Sequence, residues 1–297
     1  MIKKYILFTM VLTLIFSFLF VGYYALFPDV SRLKRWHPQR TAFMEYRLRQ
    51  WEREGKQKKV RQVWVGLSQI SPYVIKAVLI AEDDKFWRHE GFDFEALQKA
   101  MITNLKKKKF RVGGSTISQQ LVKNLYLSPA KNPLRKVKEA IITWRIERKL
   151  SKKRIIELYL NVAEWGDGLF GIEAAAHHYY GKPALSLTAT EAARLAAVLP
   201  NPLKYRPGGS SKYVVKRAKA IYRIMVRRGF VIPEYEAIMN EPEEVTSPDM
   251  TSETEQKQEF VPAEEETAPE KTGPNGEESE TWDTPPEADG ADGAREP

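Results

Sequence analysis

From Tyr5 to Phe27 the chain runs 23 residues without a charge, almost all Ile, Leu, Phe, Val and Tyr, directly after Lys3 and Lys4. A helix of that length rises about 35 Å at ~1.5 Å per residue, enough to cross a ~30 Å hydrocarbon core. The run exceeds the apolar stretch of a cleaved signal peptide. Its exit, Gly22-Tyr23-Tyr24-Ala25, lacks the small-x-small pattern of a cleavage site. It therefore reads as an uncleaved anchor, and the rest of the chain must fold beside a bilayer. Arg32, Lys34 and Arg35 follow the span at once, so the charge balance across it does not set its orientation.

The 297 residues suffice for one core of about 200 residues with appendages. Cysteine is absent, which excludes disulfides, thiolate metal sites and thiol nucleophiles. The net charge of +9 conceals an asymmetry. Residues 241–297 carry 19 Asp/Glu against 3 Lys/Arg, whereas the preceding 240 carry 44 Lys/Arg against 19 Asp/Glu. A body with a balance of +25 expects an anionic partner: nucleic acid, acidic headgroups or a phosphorylated ligand. The acidic tail is dominated by Glu, Pro, Thr, Ser and Gly, buries too little apolar surface to offset its chain entropy, and is expected to be disordered.

Between these ends the helical period dominates. Ser71-Pro72 reads as a cap and first helical residue, followed by the stripe Val74, Ile75, Val78 and Leu79. Phe94, Leu97, Met101 and Leu105 repeat at three and four, as do Val137, Ile141 and Trp144, and Ile155, Leu158 and Tyr159. Leu195, Val198 and Leu199 close a further helix ended by Pro200 and Pro202. Only Val60 to Leu67 looks extended. Residues 28–59 are basic and aromatic, and suit either a juxtamembrane stalk or a helix packed on the body. The fold class is mainly α, with boundaries expected at residues 5–27 for the span, 28–59 for the basic segment, 60–240 for the folded domain and 241–297 for the tail.

Three blocks carry chemistry. Glu82-Asp83-Asp84 ends the apolar run Val78–Ala81, where desolvation and like charge would both raise the carboxyl pKa of Glu82 toward that of a general base. Gly113-Gly114 leads into a helix that Ser115 is placed to cap, with free N–H groups suited to an anion. Ser115, Gln119 and Lys123 follow one another at i, i+4 and i+8, and Gln120 neighbours Lys123. In the third block Glu139 lies four residues after Arg135 and three after Lys136, an acid held among cations.

The pattern E-D-x-x-F-x-x-H-x-G from Glu82 to Gly91, followed by GGSTISQQ from Gly113 to Gln120, resembles the signature of the peptidoglycan glycosyltransferases, and RKVKE at Arg135–Glu139 extends it. Ser151–Pro183, with its Y-L-N and G-I-x-x-A-A elements, and the helix ending in LPNP match further family blocks. The resemblance spans roughly residues 36–229. It is closest to the monofunctional biosynthetic transglycosylases, because no transpeptidase domain follows. It implies a lysozyme-like helical fold with a larger lobe and a smaller, membrane-proximal one. It implies polymerisation of lipid II into β-1,4-linked glycan strands with inversion and release of undecaprenyl pyrophosphate.

By the same resemblance Glu82 is the catalytic base and Glu139 a second essential glutamate and metal ligand. Ser115, Thr116, Gln119, Gln120, Lys123, Asn124, Arg135 and Lys136 bind substrate. Asn161 would orient a site residue, and His89 is structural. A divalent cation, Mg²⁺ or Mn²⁺, is expected as cofactor. The implied partners are lipid II, the lipid-linked glycan strand, the membrane, and proteins of cell-wall synthesis and division, with no nucleic acid. The implied location is the inner membrane, single-pass, with residues 1–4 cytoplasmic and the catalytic domain periplasmic. Lys106 to Lys109, with Phe110 and Val112, are expected at the lipid surface, and Lys131 falls near a position where the family can carry arginine. A lytic enzyme of similar fold would have no use for the Lys123–Arg135–Lys136 cations, because its leaving group carries no diphosphate.

Overall fold

A computed structural model describes residues 2–106, 114–127, 129 and 133–232. Residues 107–113, Lys131 and the acidic tail from 241, on which several expectations fall, lie outside them. Among the described residues ten α-helices and a small three-stranded sheet make a mainly helical molecule, the class expected from the sequence.

α1 (Ile2–Leu26) is the apolar segment, with no buried residue along its length. It begins three residues before the expected span and takes in Lys3 and Lys4. The segment after it is no detached stalk. Val30 and Leu33 enter the core from a single 3-10 turn, and α2 (Ala42–Arg53) buries Met44 and Trp51. Arg47 on α2 grips buried Glu164 through Nε and Nη2, the latter at 2.8 Å.

β1 is only Arg61–Gln62, so most of the stretch expected to be extended forms no strand. It pairs in parallel with β3 (Leu169–Phe170), which pairs antiparallel with β2 (Glu164–Gly166). β2 and β3 are two or three residues long, too short to leave a period-two signal.

α3 (Pro72–Glu82) starts as the sequence expects: the Ser71 hydroxyl accepts from Tyr73 N–H and also donates to the Leu187 carbonyl. Its Val74, Ala77 and Val78 pack against α9 (Ala189–Val198) and α10 (Lys212–Arg227). The small residues of α9 allow close approach between helices, so α3 is gripped firmly where it delivers its last turn. α4 (Phe94–Lys106), α5 (Ile117–Tyr126), α6 (Pro133–Lys149), α7 (Lys152–Val162) and α8 (Ile172–Tyr180) complete the body.

The helical periods hold, but two of the expected stripes point outward. Phe94, Leu97, Met101 and Leu105 on α4 are exposed, Leu105 by 84%. On α6, Val137 and Trp144 are exposed, and the buried face is Glu139, Ile142, Thr143 and Ile146 instead. Periodicity shows that a helix has an apolar face and not what covers it.

Candidate active site

Glu82 occupies the last helical position of α3, and its side chain is 13% exposed. One carboxylate oxygen accepts from Gln120 Nε2 at 3.0 Å; the other accepts from Arg217 Nη2 at 3.1 Å, which also donates to the Ala81 carbonyl. Tyr159, wholly buried on α7, donates its hydroxyl to Gln120 Oε1 at 3.1 Å. That bond turns the Gln120 amide so that its NH₂ faces Glu82. Burial pushes the Glu82 pKa up, against the pull of Gln120, Arg217 and Lys123.

The like-charge contribution expected from Asp83 and Asp84 is replaced by other pairings. Asp84 is held low by the Arg228 guanidinium, which grips both its oxygens. Asp83 turns inward, with Oδ1 2.8 Å from His89 Nε2 and Oδ2 accepting from Ile117 N–H at 2.8 Å. His89 Nδ1 accepts from Gly91 N–H, which leaves Nε2 as the donor to Asp83. Both ring nitrogens are thereby occupied, in keeping with a structural His89.

The start of α5 differs from expectation. Thr116, not Ser115, is the N-cap, and its hydroxyl accepts from Gln119 N–H while the Gln119 side chain accepts from Thr116 N–H. With Ile117 N–H taken by Asp83, three of the N–H groups around the start of α5 are already satisfied. Thr116 also donates to the Gly91 carbonyl at 2.7 Å, tying the two sequence blocks together. Thr116, Gln119 and Asn124 are buried, so the expected donor stripe is reduced to its exposed members.

Ser115, just outside the helix, lines a cleft of about 430 Å³ together with Glu82, Asp83, Asp84, Gly114 and Thr116. Its Oγ lies 3.5 Å from Lys136 Nζ. Lys136 in turn pairs with Glu139, whose second oxygen accepts from Arg135 Nη1 at 3.0 Å. Lys123 feels both glutamates. Burial pushes its ammonium pKa down and the nearby Arg135 and Lys136 add to this, while Glu139 and Glu82 oppose it. The structure thus brings Glu82, Gln120, Lys123, Ser115, Arg135, Lys136 and Glu139 into one neighbourhood. Asn161 is used elsewhere: its amide holds Val65 through both N–H and carbonyl, which secures the approach to α3.

Two site residues had no sequence signal. Arg217 is one of five Lys or Arg between Lys212 and Arg223 on α10, and only the packing of α10 on α3 selects it for Glu82. Tyr159 reads as a core residue, which it also is.

The donor set at Glu139 does not suit a resident divalent cation. Both its oxygens are engaged by cationic side chains, and among the described residues no group of three His, Cys, Asp or Glu is placed to hold a metal.

A desolvated carboxylate with Lys123, Arg135 and Lys136 in its neighbourhood, on a mainly helical body, has the groups that group-transfer chemistry can use to move a proton and to stabilise an anion. The model of the transglycosylase family matches residues 49–226, and the chain belongs to that family, as a peptidoglycan glycosyltransferase of cell-wall biosynthesis. It is 46% identical over 203 residues to the biosynthetic peptidoglycan transglycosylase of Nitrosospira multiformis, covering 68% of this chain and 88% of the relative. The protein of that description from Nitrosomonas eutropha is 42% identical over 221 residues, 74% of this chain and 90% of its own length. That from Dechloromonas aromatica is 49% identical over 185 residues, 62% and 80% of the two chains.

Proposed function

We propose that the enzyme polymerises lipid II, with Glu82 as base. Glu82 takes the proton from the 4-hydroxyl of the incoming lipid II; that oxygen bonds to C1 of the lipid-linked strand as the C1–phosphate bond breaks. The electron pair leaves with undecaprenyl pyrophosphate, and attack opposite the leaving group inverts C1 to give a β-1,4 linkage. Gln120 and Arg217 hold the carboxylate in place. Lys123, Arg135 and Lys136 meet the negative charge that develops on the diphosphate, and Glu139 keeps the last two from splaying apart.

The observation that carries this reading is the single neighbourhood shared by buried Glu82 and the Lys123–Arg135–Lys136 cations. A lytic activity would leave those cations without a task. Supplying purified full-length enzyme with either lipid II or finished glycan separates the two readings: strands should lengthen from lipid II, and finished glycan should remain uncut.

α1, the one helix among the described residues long and apolar enough to cross a membrane, serves in this reading as a single-pass anchor, with the body on the periplasmic face of the inner membrane. The exposed Phe94, Met101 and Leu105 of α4 would then rest against lipid, near substrates whose chains stay in the bilayer.

A further inference from the structure

Where α1 ends, a groove of about 570 Å³ opens between Tyr23, Tyr24 and Phe27 on one side and Leu134, Arg135 and Lys138 of α6 on the other. Its geometry is fixed by Arg145, which donates to the carbonyls of Tyr24 at 3.1 Å and Leu26 at 2.7 Å and so clamps the end of α1 onto α6. The Lys138 ammonium lies 4.8 Å from the centre of the Tyr24 ring and 5.5 Å from that of Phe20. Its sequence neighbour Glu139 is buried and already paired with Arg135 and Lys136, and among the described residues no acid pairs with Lys138.

We propose that this groove binds the phosphate headgroup of an anionic phospholipid, whose acyl chains run back along α1. Tyrosines at the end of an apolar helix mark the depth of the headgroups, and a lysine held there by aromatic faces without a counter-charge is complementary to a lipid phosphate. The inference rests on the reading of α1 as an anchor. It also gives the bilayer a route to the active site. Arg135 lines the groove and holds Glu139, so a headgroup on this face biases the cation cluster that meets the leaving diphosphate.

Native mass spectrometry of the full-length protein released from nanodiscs of equimolar phosphatidylglycerol and phosphatidylcholine tests this. Wild type should retain phosphatidylglycerol several-fold over phosphatidylcholine. Lys138→Gln should bring the ratio near one, Lys138→Arg should preserve it, and Lys219→Gln, an equal change of charge on α10, should leave it unaltered. Equal retention of the two lipids by wild type, or a preference that Lys138→Gln does not reduce, overturns the proposal. Displacement of bound phosphatidylglycerol by undecaprenyl phosphate assigns the groove to the substrate's own lipid and also overturns it. Flotation with pure phosphatidylcholine vesicles keeps the two claims apart. A protein that floats but shows no lipid preference loses only this inference, whereas one that does not float loses the anchor as well.

Discussion

Glu82 is shaped by two opposing influences, and their balance sets when it can act. Burial between α3, α5 and α10 disfavours its charge, while Arg217, Gln120 and Lys123 favour it. A base must be ionised to accept a proton, so activity should rise with pH along a limb whose midpoint lies above the ordinary glutamate value. Arg217→Gln removes a cation that lowers the Glu82 pKa, so that acidic limb should move to higher pH. The full pH profile of polymerisation by the variant and wild type checks this. A limb that does not move, or moves to lower pH, would mean that Arg217 does not act on the charge of Glu82. Of the two influences that the sequence around Glu82 suggests, desolvation operates, whereas Asp83 and Asp84 have partners of their own.

At the scale of elements, the site depends on how the loop after α3 is stitched to the start of α5. Asp83 bridges His89 and Ile117, Thr116 reaches the Gly91 carbonyl, and Gly91 itself adopts φ +91°, a conformation that disfavours side chains. A Cβ there would lie 2.9 Å from both Glu147 Cγ and Thr143 Cγ2 on α6. Gly91→Ala should therefore destabilise the protein by about 1–3 kcal/mol, measured by urea unfolding, with a further loss of activity as the loop shifts. An unchanged midpoint would contradict this account of the loop. The sequence motif holds residues of two kinds at equal prominence: those that face the candidate site and those that pin the loop. Only the hydrogen bonds separate Glu82 from Asp83, or Gln120 from Gln119.

For the whole molecule, the segment between α1 and β1 is part of the body, latched by Arg47 on Glu164. Burial raises the Glu164 pKa and Arg47 pulls it back. Arg47→Met removes that pull and leaves an acid buried without its cation, which should cost about 3–5 kcal/mol at neutral pH. A raised acid pKa means that the folded state resists ionisation. The variant's deficit should therefore grow as pH rises from the ordinary glutamate value through the new folded pKa, and shrink in acid. Urea unfolding at pH 5 and pH 8 measures both, and a deficit independent of pH would contradict this account. Much of this architecture was legible in the residues: the long apolar N-terminal helix, the helical class, the Ser71 cap and the three chemical blocks. The covering of α4 and α6, the short strands and Arg217 were not, because each is decided by contacts between distant segments. In the proposed reaction buried Glu82 draws the proton while Lys123, Arg135 and Lys136 receive the diphosphate. This reaction is tested most directly by the rate of lipid II polymerisation by full-length Glu82→Gln, with lipid II binding measured in parallel. Binding should be retained and polymerisation should fall by about 10²-fold or more; polymerisation near the wild-type rate would remove Glu82 as the base.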